Sequence, residues 1–295
     1  MTQPQSRPLL AFAWMLVAIA SFTLMAVAGR AVQAELTTFQ LMAWRSLIGL
    51  GIVCALILAG RRGFAQVRTR VPMLHLGRNL FHFTGQNLWF YGIMAIPLSQ
   101  LVALEFTLPI WVALLAPLML GERMTAAKLI AALVCFAGVL IVARPGVQAV
   151  GPGHAAGLAS ALCFALNVIY TRRLMAHDTV LCVLFWMTVT QLVMGSALGF
   201  AGGIVWPSAA IWPWLVVVGI TGLSAHFALT SALGHAPAST VAPMEFLRLP
   251  IIAIVGMALY AEPLDLFVFL GAAVIFAGNW MNLRAARAPA VAAAP

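Results

Sequence analysis

Residues 97–106, Pro-Leu-Ser-Gln-Leu-Val-Ala-Leu-Glu-Phe, and residues 237–246, Pro-Ala-Ser-Thr-Val-Ala-Pro-Met-Glu-Phe, lie 140 positions apart and decide how the chain is built. Pro97 meets Pro237, Ser99 meets Ser239, and Glu105-Phe106 meets Glu245-Phe246. At the same shift Glu122 meets Glu262, and Phe136-Ala137-Gly138 meets Phe276-Ala277-Gly278. A shift of 142 brings Phe22 onto Phe164, Leu24 onto Leu166 and Arg30 onto Arg172. Apolar stretches resemble one another by chance because they draw on few residue types. Matched Glu and Pro inside such stretches are much rarer, so the chain reads as an internal duplication.

The composition says what was duplicated. Of 295 residues, 63% are hydrophobic and 8% charged, with a mean hydropathy of +1.03; soluble domains carry about 25% charged residues. Spans of roughly 20 apolar residues fall near 9–29, 36–59, 72–95, 98–120, 125–143, 153–171, 179–200, 211–234, 238–260 and 264–283. They read as helices, because backbone groups in lipid must bond within their own segment and these stretches are too long and uniform for barrel strands. The first run, with Ala26-Val27-Ala28 after it, imitates a signal peptide, but it is long enough to span and has a counterpart in the second half.

The net charge of +9 reports topology. With the N-terminus in the cytoplasm, inside connections carry Arg7, Arg61, Arg62, Arg68, Arg70, Arg123, Lys128, Arg172, Arg173, Arg284 and Arg287, against Arg30 and Arg144 outside. This bias predicts cytoplasmic termini in a multi-pass plasma membrane protein, a bacterial inner membrane being the natural setting. Five spans per copy is an odd number, so the second copy is inverted relative to the first. The expected fold is all-α, ten transmembrane helices in two inverted five-helix repeats, 1–148 and 149–295, around a central cavity. Inverted repeats supply two alternative states of one scaffold, the geometry of alternating access.

Each half ends in a turn Glu followed by a small-residue helix. Leu120-Gly121-Glu122-Arg123-Met124-Thr125 leads to Phe136-Ala137-Gly138-Val139, and Tyr260-Ala261-Glu262-Pro263-Leu264 leads to Phe276-Ala277-Gly278. This pattern resembles the EamA family of the drug/metabolite transporter superfamily, over essentially the whole chain. Ala131 and Ala261 stand where that family often shows Gly. The resemblance implies ten spans in two repeats and, at finer grain, similarity to bacterial exporters of amino acids and related metabolites.

Five charges remain inside spans: Arg45, Arg78, Arg248, Glu105 and Glu245. Such charges should face the bundle interior or a water-filled cavity. Arg248 lies one turn after Glu245 and is placed to pair with it, while Arg45 or Arg78 are the candidate partners of Glu105. Structural ion pairing and a substrate-amine or proton site both remain open for the two glutamates.

The third span carries the clearest functional pattern. His75, Asn79, His82 and Gln86 recur at spacings of four, three and four, with Trp89 continuing the stripe. His75 falls near the cytoplasmic mouth, and His82 and Gln86 near the midplane. In the sixth span Phe164 and Asn167 face one way, and in the eighth His226 and Thr230 lie a turn apart. The candidate substrate-binding set is Asn79, Phe81, His82, Gln86, Trp89, Phe164, Asn167 and His226. An aromatic set with amide, hydroxyl and imidazole groups suits a neutral zwitterion, a neutral or aromatic amino acid; its export, by alternating access, is what the resemblance to bacterial exporters implies. Pro97 and Pro237, at matched helix starts, are candidate hinges.

Other classes lack their marks. No nucleophile elbow, zinc-binding His pair or phosphate-binding Gly loop occurs. His177, Asp178 and Asp265 fall in connections without evident partners, and Cys54, Cys135, Cys163 and Cys182 stand singly. No catalytic residue, metal, cofactor, nucleic acid or ATPase subunit is therefore expected, and the partners are a small-molecule substrate and the bilayer. A lipid scramblase, a structural membrane protein or a transporter of another metabolite or drug are the alternatives.

Overall fold

A computed structural model describes residues 7–60, 62–120, 124–146, 150–236, 241 and 244–285. The described helices are α1 (Pro8–Val32), α2 (Thr38–Ala59), α3 (Pro72–Ala95), α4 (Leu98–Glu105), α5 (Leu108–Leu120), α6 (Ala126–Ala143), α7 (Pro152–Leu174), α8 (Val180–Gly199), α9 (Trp212–His235), α10 (Arg248–Tyr260) and α11 (Leu266–Ala285), with a short 3-10 turn at Gly63–Val67. They fit ten membrane crossings in two inverted five-helix repeats. Eight stretches are both long and apolar enough to cross a membrane, and α10 is a shorter apolar helix. Helix α3, at 24 residues, falls short only in hydropathy, because its inner face carries His75, Asn79, His82, Gln86 and Asn87. A membrane helix can keep such a face only against protein or a cavity.

The packing follows the duplication. Helix α1 packs along α9, α3 along α7, α2 along α8 and α6 along α11. Exchanging each span for its counterpart five spans away converts the α1–α9 pair into α7–α3 and maps the α2–α8 and α6–α11 pairs onto themselves. At the α6–α11 seam the backbones touch. A methyl group on Gly138 would lie 2.7 Å from the Gly271 carbonyl oxygen, and one on Gly271 would lie 2.7 Å from that of Gly138. Lipid supplies no hydrophobic force between helices, so close approach through small residues holds this seam.

The fourth span departs from the single helix expected over 98–120. It breaks at Phe106-Thr107 between α4 and α5. Pro109 has no N–H to give the Glu105 carbonyl, and the chain turns instead of continuing. The Phe106 carbonyl accepts from Asn279 Nδ2 of α11 at 2.8 Å, and Thr107 Oγ1 donates to the Leu104 carbonyl at 2.7 Å. The second copy turns at the matching place, Phe246-Leu247, just before α10, where Pro250 denies the Phe246 carbonyl its α-helical donor.

One end of the bundle is pinned by a residue of the second repeat. Glu262, in the turn after α10, pairs with Arg30 Nη1 of α1 at 2.6 Å and accepts the Leu98 N–H at 2.8 Å. Helix α4 has no side-chain cap of its own, so a carboxylate from the other repeat fills the place of its N-cap. Arg30 also donates to the Ile93 and Ile96 carbonyls and lies 4.4 Å over the Tyr260 ring. To aim Glu262, the chain passes through Ala261 at φ 54°, a left-handed conformation that favours Gly. The preference for Gly at this position thus has a local cause. Ala261→Gly should raise the unfolding free energy by about 1 kcal/mol, read as a higher unfolding temperature in detergent; an unchanged or lower temperature contradicts the strain.

Candidate functional site

A cavity of about 540 Å³ opens between the repeats, within the range of small-molecule sites. It extends to Met175, Val180 and Leu233, all about half exposed, at the end of the bundle where the Arg7 N–H bonds the His235 carbonyl. The Arg30–Glu262 pair closes the opposite end. Its walls are mainly Phe, Trp, Leu, Val and Met, with a few polar groups between them.

His82, Gln86, Trp89, Phe164, Asn167 and His226 all line this cavity. His82 is buried, with ring centres 6.1 Å from Phe164 and 6.0 Å from His226. Gln191 Nε2 of α8 lies 2.6 Å from its Nδ1. An amide nitrogen only donates, so this bond places the imidazole proton on Nε2 as a donor. The Gln86 Oε1 and Asn167 Oδ1 atoms are buried with no hydrogen-bond partner among the described residues. The site therefore combines an imidazole donor with two amide side chains whose oxygens have no partner among the described residues, beside aromatic walls.

Two members of the expected set do not line the cavity. Asn79 is fully buried where α3 meets α8, donating to the Trp186 carbonyl and accepting from Arg78 Nη1. Its spacing put it on the polar face, but α8 covers that part of the face. Phe81 is one residue from His82, about 100° around the helix, and packs 5.7 Å from Tyr170.

The intramembrane charges also pair differently from expectation. Arg248 Nη2 contacts Glu105 Oε1 at 3.1 Å, across the repeats, instead of Glu245 one turn before it. Glu105 also accepts from Trp89 Nε1 at 3.0 Å. Adjacent on the chain, Phe106 and Phe246 stack with ring centres 4.2 Å apart, and Arg248 lies 5.0 Å over Phe22 and 5.2 Å over Phe106. Arg78 bonds Thr171 and Asn79, and Arg45 lies 3.6 Å from Met42 Sδ; among the described residues neither reaches a carboxylate. Glu105, Glu245 and Arg78 line the cavity, and no hydrogen bond or ion pair reaches the Glu245 carboxylate among the described residues.

Two loop acids expected to stand alone are partnered. Asp265 pairs with Arg144, and Asp178 accepts from His75 Nε2 at 2.8 Å and Thr69 Oγ1 at 2.6 Å. Burial pushes the Asp178 carboxyl up, but the Thr69 and His75 bonds and the His75 and His177 charges outweigh it and hold the group below its usual range. His75, Asp178 and Cys182 have ligand-type atoms within 4.8 Å of one another, yet the carboxylate is already taken by two donors. Pro97 sits at the α3–α4 joint, whereas Pro237 lies outside the described residues. The partners that sequence reasoning missed, Gln191, Thr171 and Glu262, act through the fold alone; the break beside Glu105 did have a signal, in Pro109 and Pro250.

Inverted repeats, broken spans and a mostly apolar cavity, open at one end and lined by a few polar groups, define a membrane transporter. The EamA-like transporter family matches residues 9–144 and 151–284, and the chain belongs to it. It is 27% identical to the riboflavin transporter of Rhizobium johnstonii, over 95% of this chain and 92% of that protein. It is 29% identical to the riboflavin transporter of Brucella anthropi (82% and 86%) and 23% identical to the S-adenosylmethionine uptake transporter of Rickettsia bellii (89% and 89%). A crystal structure sharing 19% identity superposes with a TM-score of 0.63 over 94% of this chain and 97% of that one, which shows the fold.

The unequal pairing of the two glutamates predicts unequal consequences. Glu105→Ala removes the ion-pair partner of buried Arg248 and the acceptor of the Trp89 indole and should lower stability by about 1–3 kcal/mol, while Glu245→Ala should cost less than about 1 kcal/mol. Thermal unfolding of both variants in one detergent checks this, and equal losses would contradict the assigned pairing.

Proposed function

We propose that this protein carries a planar heteroaromatic metabolite bearing neutral hydrogen-bond donors, of the riboflavin type, by alternating access between repeats 1–148 and 149–295. The observation that carries the reading is that Gln86 and Asn167, which line an aromatic-walled cavity, keep buried amide oxygens without a hydrogen-bond partner among the described residues. Such acceptors select a ligand that brings N–H or O–H groups, and Trp89 and Phe164 offer faces for a flat ring. Two relatives are riboflavin transporters, which supports the same class.

Both termini are cytoplasmic in this proposal, by the Lys and Arg bias, so the cavity faces the cytoplasm and Arg30–Glu262 closes the outer side. We take the direction as uptake, after the relative named for S-adenosylmethionine uptake, in place of the export expected from sequence. Pro97 serves as a pivot where α3 meets α4. A second reading, an aromatic amino acid, draws on Arg78 and Glu245, which line one cavity with opposite charges and suit a zwitterion.

Proteoliposomes holding the purified protein, loaded with unlabelled compound and given labelled riboflavin or labelled tryptophan outside, separate the two. Riboflavin counterflow is expected, and in the His82→Ala, Gln86→Ala double variant the apparent affinity should fall by about 5- to 150-fold per contact removed. Tryptophan counterflow without riboflavin counterflow would replace the first reading by the second. A correctly inserted double variant with wild-type kinetics would remove these residues from the site.

A further inference from the structure

The duplication provides two equivalent carboxylates, Glu105 and Glu245, but only one guanidinium. Position 108, the counterpart of Arg248, is Leu108. In this conformer Arg248 and the Trp89 indole both serve Glu105. Glu245, three residues before Arg248 on the chain, lines the cavity and has neither an ion pair nor a hydrogen bond among the described residues. A carboxylate that lines an apolar cavity inside a membrane needs a counter-charge to stay ionised. Here the cation best placed to supply one is turned toward the other glutamate.

We propose that Glu245 is a proton-binding site that couples transport to the proton gradient, an inference that rests on the transporter reading above. The proton is favoured over a metal cation by the donor set. Hard cations take six or more oxygen ligands and favour carboxylates, whereas Glu105 is already engaged by Arg248 and Trp89, the Gln86 and Asn167 amide oxygens are buried, and the rest of the lining is mostly apolar. A proton needs one acceptor.

The balance is simple. The Glu245 carboxylate takes up one proton from the side to which the cavity is open, crosses as the neutral acid with Arg248 held by Glu105, and returns the proton to the other side. Once deprotonated, Glu245 competes for Arg248, three residues on along the chain across the Phe246-Leu247 turn, and the cross-repeat Glu105–Arg248 pair loosens. The proton thus decides which carboxylate holds the guanidinium. The charged groups facing Glu245 are Arg248, the first residue of α10, and Glu105 from α4; Arg78 and His82 of α3 and His226 of α9 line the same cavity.

Two measurements test this. Infrared spectroscopy of the purified full-length protein in detergent should show a protonated-carboxyl stretching band that is absent from Glu245→Gln; identical spectra would overturn the proposal. In proteoliposomes, an imposed gradient, alkaline inside, should drive wild-type accumulation of labelled riboflavin above its counterflow level. In Glu245→Gln the same gradient should add nothing to whatever counterflow remains, and an undiminished gradient response in the variant would overturn the proposal. Absence of riboflavin counterflow in the wild type would count against the substrate reading alone, because the infrared comparison uses no substrate.

Discussion

The arrangement turns on one cross-repeat contact, the Glu105–Arg248 ion pair with the Phe106–Phe246 stack beside it. A charge at membrane depth is tolerated only when another group answers it. Here the answering charge comes from the opposite repeat, so neither half completes this ion pair alone. The helix breaks before α5 and α10 place Glu105 and Arg248 face to face, and Asn279 of α11 satisfies the carbonyl freed at Phe106. A continuous fourth helix would carry Glu105 on a regular face, without the turn that aims it.

From that contact outward, the two ends of the molecule differ. At one end Glu262 of the second repeat caps α4 of the first and holds Arg30, which in turn clasps the end of α3. At the other end the cavity extends past Thr171 to Met175 and Leu233. In a pair of inverted repeats, exchange of the two conformations between the halves turns one closed end into the other. The proposed alternating access accounts for this asymmetry, since one state of such a pair is closed at one end and open at the other.

Much of this is legible in the sequence because duplication and periodicity survive translation into three dimensions. The Glu105-Phe106 and Glu245-Phe246 match marks the site of both helix breaks, and the spacing of His82, Gln86 and Trp89 places them on the cavity wall. Pairings are harder to read. The i, i+3 relation suggests that Arg248 serves Glu245, yet the turn at Phe246-Leu247 lies between them and the guanidinium reaches α4 instead. Asn79 shares the stripe of His82, but α8 packs over it, and a helix's polar face alone does not say which part a neighbour covers. Ala261 hides a left-handed turn that Gly would have announced.

The account stands most directly on the claim that one cavity is reached alternately from the two sides. Replacing Cys54, Cys135, Cys163 and Cys182 by Ser or Ala and introducing Leu229→Cys on the cavity wall allows labelling by a membrane-impermeant maleimide in right-side-out and everted vesicles. The account predicts labelling from both sides, with riboflavin shifting the two in opposite senses. Labelling from one side alone under every condition would contradict it.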